Sequence, residues 1–409
     1  MSRPASLEFH SSLMIPSVCL ALSLLCARAV EAGDVELKRI ASRTLSGFSE
    51  AVLIESRPLI HTGQFFARDT RGHAVAKGDA SRQMEWVADQ MLGAVRQAGG
   101  EDATVVRVHL VAANLDACRH GMRVLARRWS PGAAPALSMA VGALADPDSL
   151  VGLDAIAVPL AKAGPSARQF RAVEGATSVA SAAMLPSGPA VFVAGQAEPG
   201  SLEVATRKTL ASLERTLGHL GLGRTDVVQL KAFMSPMNQA EAVRRLVREY
   251  FHPQLAPPLV LVEWLSNLPI EIEIVASAPK QSSTAQSPVE FITPPWMSAS
   301  PVFSRVAVVH GARRIYTSSL VGESGVEAGR QVESMFDSLR HVLEPWRSDF
   351  QHLIKATYFV SLPEVSAKLN ELRPRYYDPR RPPSASKAMV PGIGLPGASI
   401  SMDMIAVVP

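Results

Sequence analysis

One pattern occurs three times in this chain, and the repetition constrains the fold more than any other feature. Residues 105–129, 227–251 and 353–377 each read as an alternating strand, a polar turn and an amphipathic helix that ends in an aromatic residue. The three stretches align without a gap, although the spacing between them differs slightly. We therefore expect three copies of one ancestral domain within a single polypeptide.

A second amphipathic helix is predicted before each of these stretches. Apolar residues recur there in steps of three, four and three, which keeps them on one face of an α-helix. The stripes are Ala88, Met91, Val95 and Ala98 in the first copy, Leu210, Leu213, Leu217 and Leu220 in the second, and Phe336, Leu339, Leu343 and Trp346 in the third. A stripe at this spacing is typical of a helix that packs on a core.

The strand in each stretch alternates between apolar and polar side chains. In the first copy Val106, Val108 and Leu110 face one way, and Arg107 and His109 face the other. This period of two predicts a sheet with one face buried on helices and a second, more polar face. We expect His109 to be solvated or at an interface, since no partner residue at metal-ligand spacing accompanies it.

The first 32 residues have the features of a cleaved secretory signal. Residues 13–27 are an uncharged, mostly apolar run that is too short to span a bilayer, and small residues follow it. The alternatives are an uncleaved interfacial anchor and a misassigned start. Cleavage would remove Cys19 and Cys26 and leave Cys118 as the only cysteine, so no intrachain disulfide could form. We expect the mature chain to be exported, periplasmic or extracellular, and free of the membrane.

The composition is that of a globular protein: 47% of the residues are hydrophobic, 19% are charged, and the net charge is only +4. This balance does not indicate a nucleic-acid-binding surface. We place the three copies at residues 40–160, 168–279 and 301–409. Residues 280–300 are rich in Ser, Pro and Thr and are predicted to be a solvated linker.

The second copy resembles the RidA family (reactive intermediate deaminase A, also grouped as endoribonuclease L-PSP). The resemblance rests on the strand 191–196, the helix through Leu220-Gly221, Asp226-Val227-Val228, Phe251, and Leu268-Pro269 with Ile272-Glu273. The third copy resembles the same family, including residues 301–304. The first copy is the most divergent and matches through residues 48–52 and 62–64.

This resemblance implies an α+β, chorismate-mutase-like fold. Proteins of the family are homotrimers with a central β-barrel, outer helices and ligand clefts between neighbouring subunits. Three copies in one chain would form a monomeric pseudo-trimer with three inequivalent clefts, in which linkers replace the association of separate chains.

In the family an arginine of the penultimate strand grips the substrate carboxylate with its planar fork. Counting back from the Leu-Pro turn places Val260 in this column of the second copy and Lys387 in that of the third. In the first copy the count gives Ala136 or Leu137. Residues 130–161 and 251–279 contain no Lys or Arg, so only the third copy keeps a cation there.

The resemblance also supplies the other candidate site residues. Lys387 and Glu271 are the predicted catalytic pair, because Glu271 stands at the position of the family's acidic cleft residue. Lys387, Ser318, Ser319 and Phe303 are the predicted ligand-binding residues. Whether Lys387 and Glu271 share one cleft depends on the order in which the copies pack.

Three functions follow from these residues. The first is a pseudo-trimer that binds a small carboxylate or a 2-oxo or imino acid, with the family's arginine missing from all three copies. The second is an enamine or imine deaminase that uses the Lys387 cleft. The third is an endoribonuclease-like activity. No cofactor, metal or nucleic-acid partner is predicted, because the sequence has neither metal-ligand spacing nor a phosphate-binding glycine loop.

Overall fold

A computed structural model of the chain describes residues 35–130, 132–161, 166–170, 179–278, 287–310 and 312–409. The predicted signal sequence, residues 1–32, lies outside these residues. None of the helices in the described ranges combines the length and the apolar content that a membrane crossing requires.

The described elements fall into three segments that share one order. The first segment contains β1 Lys38–Ala41, β2 Ser49–Ile54, β3 Leu59–Thr62, β4 Phe65–Phe66, α1 Ala80–Gln97, β5 Val105–Ala112, α2 Leu115–Leu125, β6 Ala136–Val141 and β7 Val151–Ala157. The second contains β8 Arg168–Phe170, β9 Ala182–Leu185, β10 Pro189–Gln196, α3 Leu202–His219, β11 Val227–Met234, α4 Ala240–Phe251, β12 Leu259–Glu263 and β13 Ile270–Ser277. The third contains β14 Val289–Ile292, β15 Val306–His310, β16 Arg314–Thr317, β17 Leu320–Val321, α5 Ala328–Leu343, β18 Leu353–Val360, α6 Pro363–Leu372, β19 Ser384–Met389 and β20 Ile400–Val407.

Each segment buries its two helices on one face of its own strands. In the second segment the predicted stripe Leu210, Leu213 and Leu217 packs in one apolar cluster with Leu230 of β11 and Ile272 of β13. The corresponding stripes on α1 and α5 are buried in the same way. The helical periodicity therefore predicted the helix faces correctly, and the arrangement of helices on sheets is an α+β fold.

The strands form a fourteen-stranded sheet and a six-stranded sheet. Within each segment the strand after the long helix pairs in parallel with one neighbour and antiparallel with another, as β11 does with β12 and β13. Neither sheet closes on itself in the described residues, so the central barrel stays a prediction.

Strand pairing also joins each segment to the next. Strand β3 pairs antiparallel with β9, β10 with β15, and β16 with β2. In every case the later of two consecutive strands before the long helix meets the earlier of the two in the following segment, and the third segment meets the first. Each segment therefore contacts both others through backbone hydrogen bonds.

The more polar face of the central strands is buried between segments. His109 is 4% exposed, hydrogen-bonds Asp154 through Nδ1 at 3.0 Å, and stacks on Phe359 of the third segment. The expectation that His109 would be solvated is therefore wrong, whereas its interface location is confirmed. Buried polar groups of this kind need partners, because water is excluded from them.

An ion pair crosses the boundary between the second and third segments. Lys355 Nζ of β18 donates to Glu273 Oε2 of β13 at 2.6 Å, and Ser386 Oγ of β19 donates to the same oxygen at 2.6 Å. Burial alone would raise the pKa of Glu273, but the charges of Lys355 and Lys231 keep that pKa below its usual value. Glu273 is therefore a buried, charged and well-partnered carboxylate.

The predicted linker is partly structured. Residues 279–286 lie outside the described residues, but Val289–Ile292 form β14, which pairs antiparallel with β15. The solvated spacer predicted for 280–300 therefore includes an edge strand of the six-stranded sheet. Its strand-favouring residues Val289, Phe291 and Ile292 are surrounded by Ser and Pro, which obscured the strand in the sequence.

We predict that replacing Lys355 with Met destabilises the protein by about 3 kcal/mol, because the Glu273 carboxylate would stay buried without its closest cation. This is the lower end of the usual cost, since Ser386 and Lys231 remain near Glu273. The double variant Lys355→Met with Glu273→Leu should be closer to the wild type. Urea denaturation of both variants measures the difference, and equal losses in the two would contradict the role of the pair.

Candidate functional site

A cavity of about 640 Å³ lies between the second and third segments. Its second-segment wall includes Gly195 and Gln196 at the end of β10, Trp264 after β12, and Glu271 on β13. Its third-segment wall includes Phe303, Arg305, Asn370, Arg373, Ser386 and Lys387. The lining also includes Glu198, Ala197, Ser212, Ala385 and residues 296–298. The cavity thus brings together three of the predicted site residues, Glu271, Lys387 and Phe303, from two segments.

Glu271 is an acid with an unusual protonation equilibrium. Its pKa is raised to about 7, first by burial and then by the negative charge of Glu273. A hydrogen bond with Ser386 and the charges of Lys355 and Lys387 act in the opposite direction. A carboxyl group with this pKa is able to donate and accept a proton near neutral pH.

The position of Glu271 depends on a glycine. A Cβ atom added at Gly195 would overlap the Glu271 carboxyl group, so any larger residue at 195 would displace it. The Gly195 N–H donates to Ser386 Oγ at 3.2 Å across the boundary between the segments. The close approach of β10 therefore fixes the acid against β19.

Lys387 lies on β19 and points toward helix α6. Its Nζ donates to Ser366 Oγ at 3.0 Å and to Asn370 Oδ1 at 3.1 Å. Burial and the positive charge of Arg373 lower the pKa of Lys387, while Glu271 acts to raise it. The ammonium group is held by neutral oxygens, so its charge remains available to an anion in the cavity.

The sheet register corrects the predicted arginine column. Lys231 pairs with Val260, and the equivalent pairs are His109 with Ser138 and Thr357 with Ser386. Val260 therefore occupies the same register position as Ser386 and Ser138. Lys387, Ala136 and Leu137, which the sequence analysis placed in this column, occupy other positions. The count back from the Leu-Pro turn failed because the turn 390–399 is longer than the turn 264–269. Lys387 is level with Leu261 and Met139.

Arg373 is a cavity residue that the sequence analysis missed. It begins a short 3₁₀ turn after α6, is only 7% exposed, and lies over the Tyr358 ring at 5.4 Å. Its Nε has no hydrogen-bond partner, and no carboxylate of the described residues forms an ion pair with it. A buried guanidinium without an anion is unfavourable, and an anionic ligand would satisfy it.

Phe303 and Arg305 form an outer part of the same wall. The Arg305 guanidinium lies 4.7 Å from the centre of the Phe303 ring and donates to the Ser298 carbonyl oxygen at 3.2 Å. Burial lowers the pKa of Arg305. Phe303 therefore contributes an aromatic surface, and a cation covers that surface.

Ser318 and Ser319 lie away from this cavity. Ser318 Oγ donates to the Ser49 carbonyl oxygen at 2.6 Å, and Ser319 Oγ donates to Asp403 Oδ1 at 3.1 Å. Both hydroxyls also accept backbone N–H groups of β6, so they join the third segment to the first. The order of the segments separates them from Lys387, because β16 meets the first segment and β19 meets the second.

The described residues contain no group of three His, Cys, Asp or Glu side chains that could hold a metal ion. Cys118 is buried with a free thiol, and burial raises its pKa to about 12. A thiol in this state is a poor nucleophile. The chemistry available in the cavity is therefore that of two carboxyl groups, Glu198 and Glu271, and several cations.

Comparison with known proteins gives a match for the second segment. Residues 175–278 match the family model described as Endoribonuclease L-PSP. No curated protein matches the chain. A solved member of the YjgF protein family from Neisseria meningitidis is 20% identical, with a TM-score of 0.23 over 30% of this chain and 95% of that one. YyfB of the conserved Rid protein family from Yersinia pestis is 25% identical, with a TM-score of 0.28 over 30% of this chain and 98% of that one. Residues 175–278 of this chain therefore resemble a domain of the endoribonuclease L-PSP family.

Proposed function

We propose that the chain is a pseudo-trimer of three RidA-like units that binds a small carboxylate metabolite in the cavity between the second and third segments. The shared order of elements supports three related units. The pairing of β3 with β9, β10 with β15, and β16 with β2 supports a cyclic arrangement of the segments.

The observation that carries the proposal is the excess of positive charge in the cavity. Arg373 is buried without an anionic partner, and Lys387 is held by neutral oxygens. Glu198 and Glu271 also line the cavity, but they are fewer than the cations Arg305, Arg373 and Lys387, and Glu271 is largely protonated below about pH 7. A guanidinium and an ammonium at one site favour a carboxylate, the first through its planar fork and the second as a point charge.

The remaining walls fit a small organic acid. Trp264, Trp296 and Phe303 provide aromatic surface, and Ser386 and Asn370 provide polar atoms. A cavity of about 640 Å³ is large enough for a 2-oxo or imino acid with its first water molecules. The family's strand arginine is absent from this chain, and Arg373 offers a guanidinium from a different element.

The pKa of Glu271 favours a second candidate function, hydrolysis of an imino acid to a 2-oxo acid and ammonia. In this reaction Glu271 would accept a proton from water as the oxygen attacks the imine carbon. The same proton would then pass to the nitrogen to give a carbinolamine. As the C–N bond breaks, Glu271 would move the proton of the carbinolamine hydroxyl to the nitrogen, so that ammonia leaves and the 2-oxo acid forms. Lys387 and Arg373 would hold the carboxylate of the substrate during both steps.

We predict that Lys387→Ala weakens the binding of pyruvate about tenfold or more, because one of two cationic contacts to the carboxylate is lost. Isothermal titration calorimetry measures the change. Lys368→Ala is the matched control, since Lys368 lies on α6 and pairs with Glu371 on the exposed surface. Equal affinities in the wild type and Lys387→Ala would remove Lys387 from the site.

The Arg373→Lys variant tests the second cation separately. It keeps the charge and loses the fork, so we expect weaker pyruvate binding at a nearly unchanged melting temperature. Unchanged affinity in a folded Arg373→Lys protein would show that the guanidinium does not contact the ligand.

The raised pKa of Glu271 has a measurable effect on stability. Between about pH 4.5 and about pH 7 the folded protein binds more protons at this residue than the unfolded chain. The free energy of unfolding should therefore fall as the pH rises through this window, by at most about 3 kcal/mol. Glu271→Gln should remove this contribution, and Glu371→Gln, at an exposed carboxylate, should retain it. Urea denaturation across this pH range compares the variants, and identical profiles for the wild type and Glu271→Gln would contradict the shift.

If the cavity hydrolyses imines, ammonia release from 2-iminopropanoate generated in solution should be faster with the wild type than without protein. Glu271→Gln should lose this acceleration while still binding pyruvate, because it lacks the proton-transfer group and keeps the cations. A wild-type rate equal to the spontaneous rate would rule out deaminase activity, and only the binding function would remain.

A further inference from the structure

A second cavity, of about 500 Å³, lies between the first and second segments. Its chemistry differs from that of the Glu271 cavity at the two strand positions that Glu271 and Lys387 occupy there. Gly152 pairs with Val111 as Glu271 pairs with Phe233, and Leu261 is level with Lys387. The second cavity therefore lacks both the carboxyl group and the strand lysine.

Helix α4 supplies cations to this cavity instead. Arg244 and Arg248 project from α4, and Arg68 follows β4 on the opposite wall. Arg68 is fully engaged, since its Nε donates to Asp146 Oδ2 at 2.7 Å. Arg248 donates to Glu241 Oε1 at 2.9 Å, and Glu241 is itself 68% exposed.

Arg244 is the least satisfied of the three arginines. Its Nη1 has a long hydrogen bond of 3.4 Å to the Ala145 carbonyl oxygen, and Glu241 approaches only to 3.7 Å. Burial lowers the pKa of Arg244, and the charge of Glu241 opposes this change only in part. Most of the five N–H donors of this guanidinium thus remain available.

An amide and an apolar wall face the same space. Gln64 Oε1 accepts the Leu261 N–H at 3.1 Å, which fixes the side chain, while its buried Nε2 has no partner. Phe65, Phe66 and Leu259 supply apolar surface, and Arg244 lies 5.8 Å from the centre of the Phe66 ring. Unused donors beside an apolar wall match a ligand with one anionic end and one apolar end.

We infer that the cavity between the first and second segments binds an amphipathic carboxylate, with Arg244 and the Gln64 amide at the carboxylate and Phe65 and Phe66 around the apolar part. The inference does not rest on the proposed function, because the two cavities share none of these residues. The site lacks a counterpart of Glu271, since Gly152 occupies the equivalent strand position.

Calorimetric titration of the full chain with phenylacetate tests the site. We expect saturable binding that weakens about tenfold or more in Arg244→Met, because charge-assisted hydrogen bonds to the carboxylate are lost. Arg245→Met is the matched control, since Arg245 is the next residue on α4 and pairs with Glu203 and Glu249 at the surface.

Three results would overturn the inference. One is equal binding of phenylacetate by Arg244→Met and the wild type. Another is equal affinity for 2-phenylethanol, which has the ring without the charge. The third is the absence of binding to the wild type. Arg244→Lys guards against a folding defect, because it keeps the charge and the helix; it should bind phenylacetate more weakly than the wild type at an unchanged melting temperature.

Discussion

The ion pair between Lys355 and Glu273 determines where the candidate site lies. Glu271 and Glu273 are two residues apart on β13, so their side chains share one face of the sheet. The contacts of Glu273 with Lys355 and Ser386 hold that face against β18 and β19 of the third segment. Glu271 is thereby brought beside Ser386 and Lys387, and the nearby charge of Glu273 helps to raise its pKa. This contact adds to the pairing of β10 with β15 in holding the acid beside the cations.

Much of the fold was predictable because it depends on local periodicity. The stripes on α1, α3 and α5 and the alternation in β5, β11 and β18 follow directly from helical and strand geometry. The polar face of the strands was harder to interpret. Its side chains, such as His109 and Lys355, look like solvent-facing residues, but another segment covers them and supplies their partners.

The site was predictable only in part, for two physical reasons. Sheet register depends on turn length, and a longer turn after β19 moved Lys387 one residue out of the expected column. Spatial neighbours also depend on the order of the segments, which decided that Glu271 meets Lys387 and that Ser318 and Ser319 meet β6. Arg373 gave no usable signal, because an arginine just beyond a helix end is usually solvated.

The buried Lys355 differs from the residues at the same position of the other two segments. The equivalent residues of the other repeats are Arg107, which lies 5.4 Å from the centre of the Tyr316 ring, and Gln229, which is uncharged and hydrogen-bonds His61. In an assembly of identical chains every inner-face charge recurs by symmetry, so one lysine would become three neighbouring ammonium groups. In a continuous polypeptide the three equivalent positions can carry different residues. Repulsion between like charges at the three equivalent positions can then be avoided. One position forms an ion pair across a segment boundary, and the other two have neutral or aromatic partners.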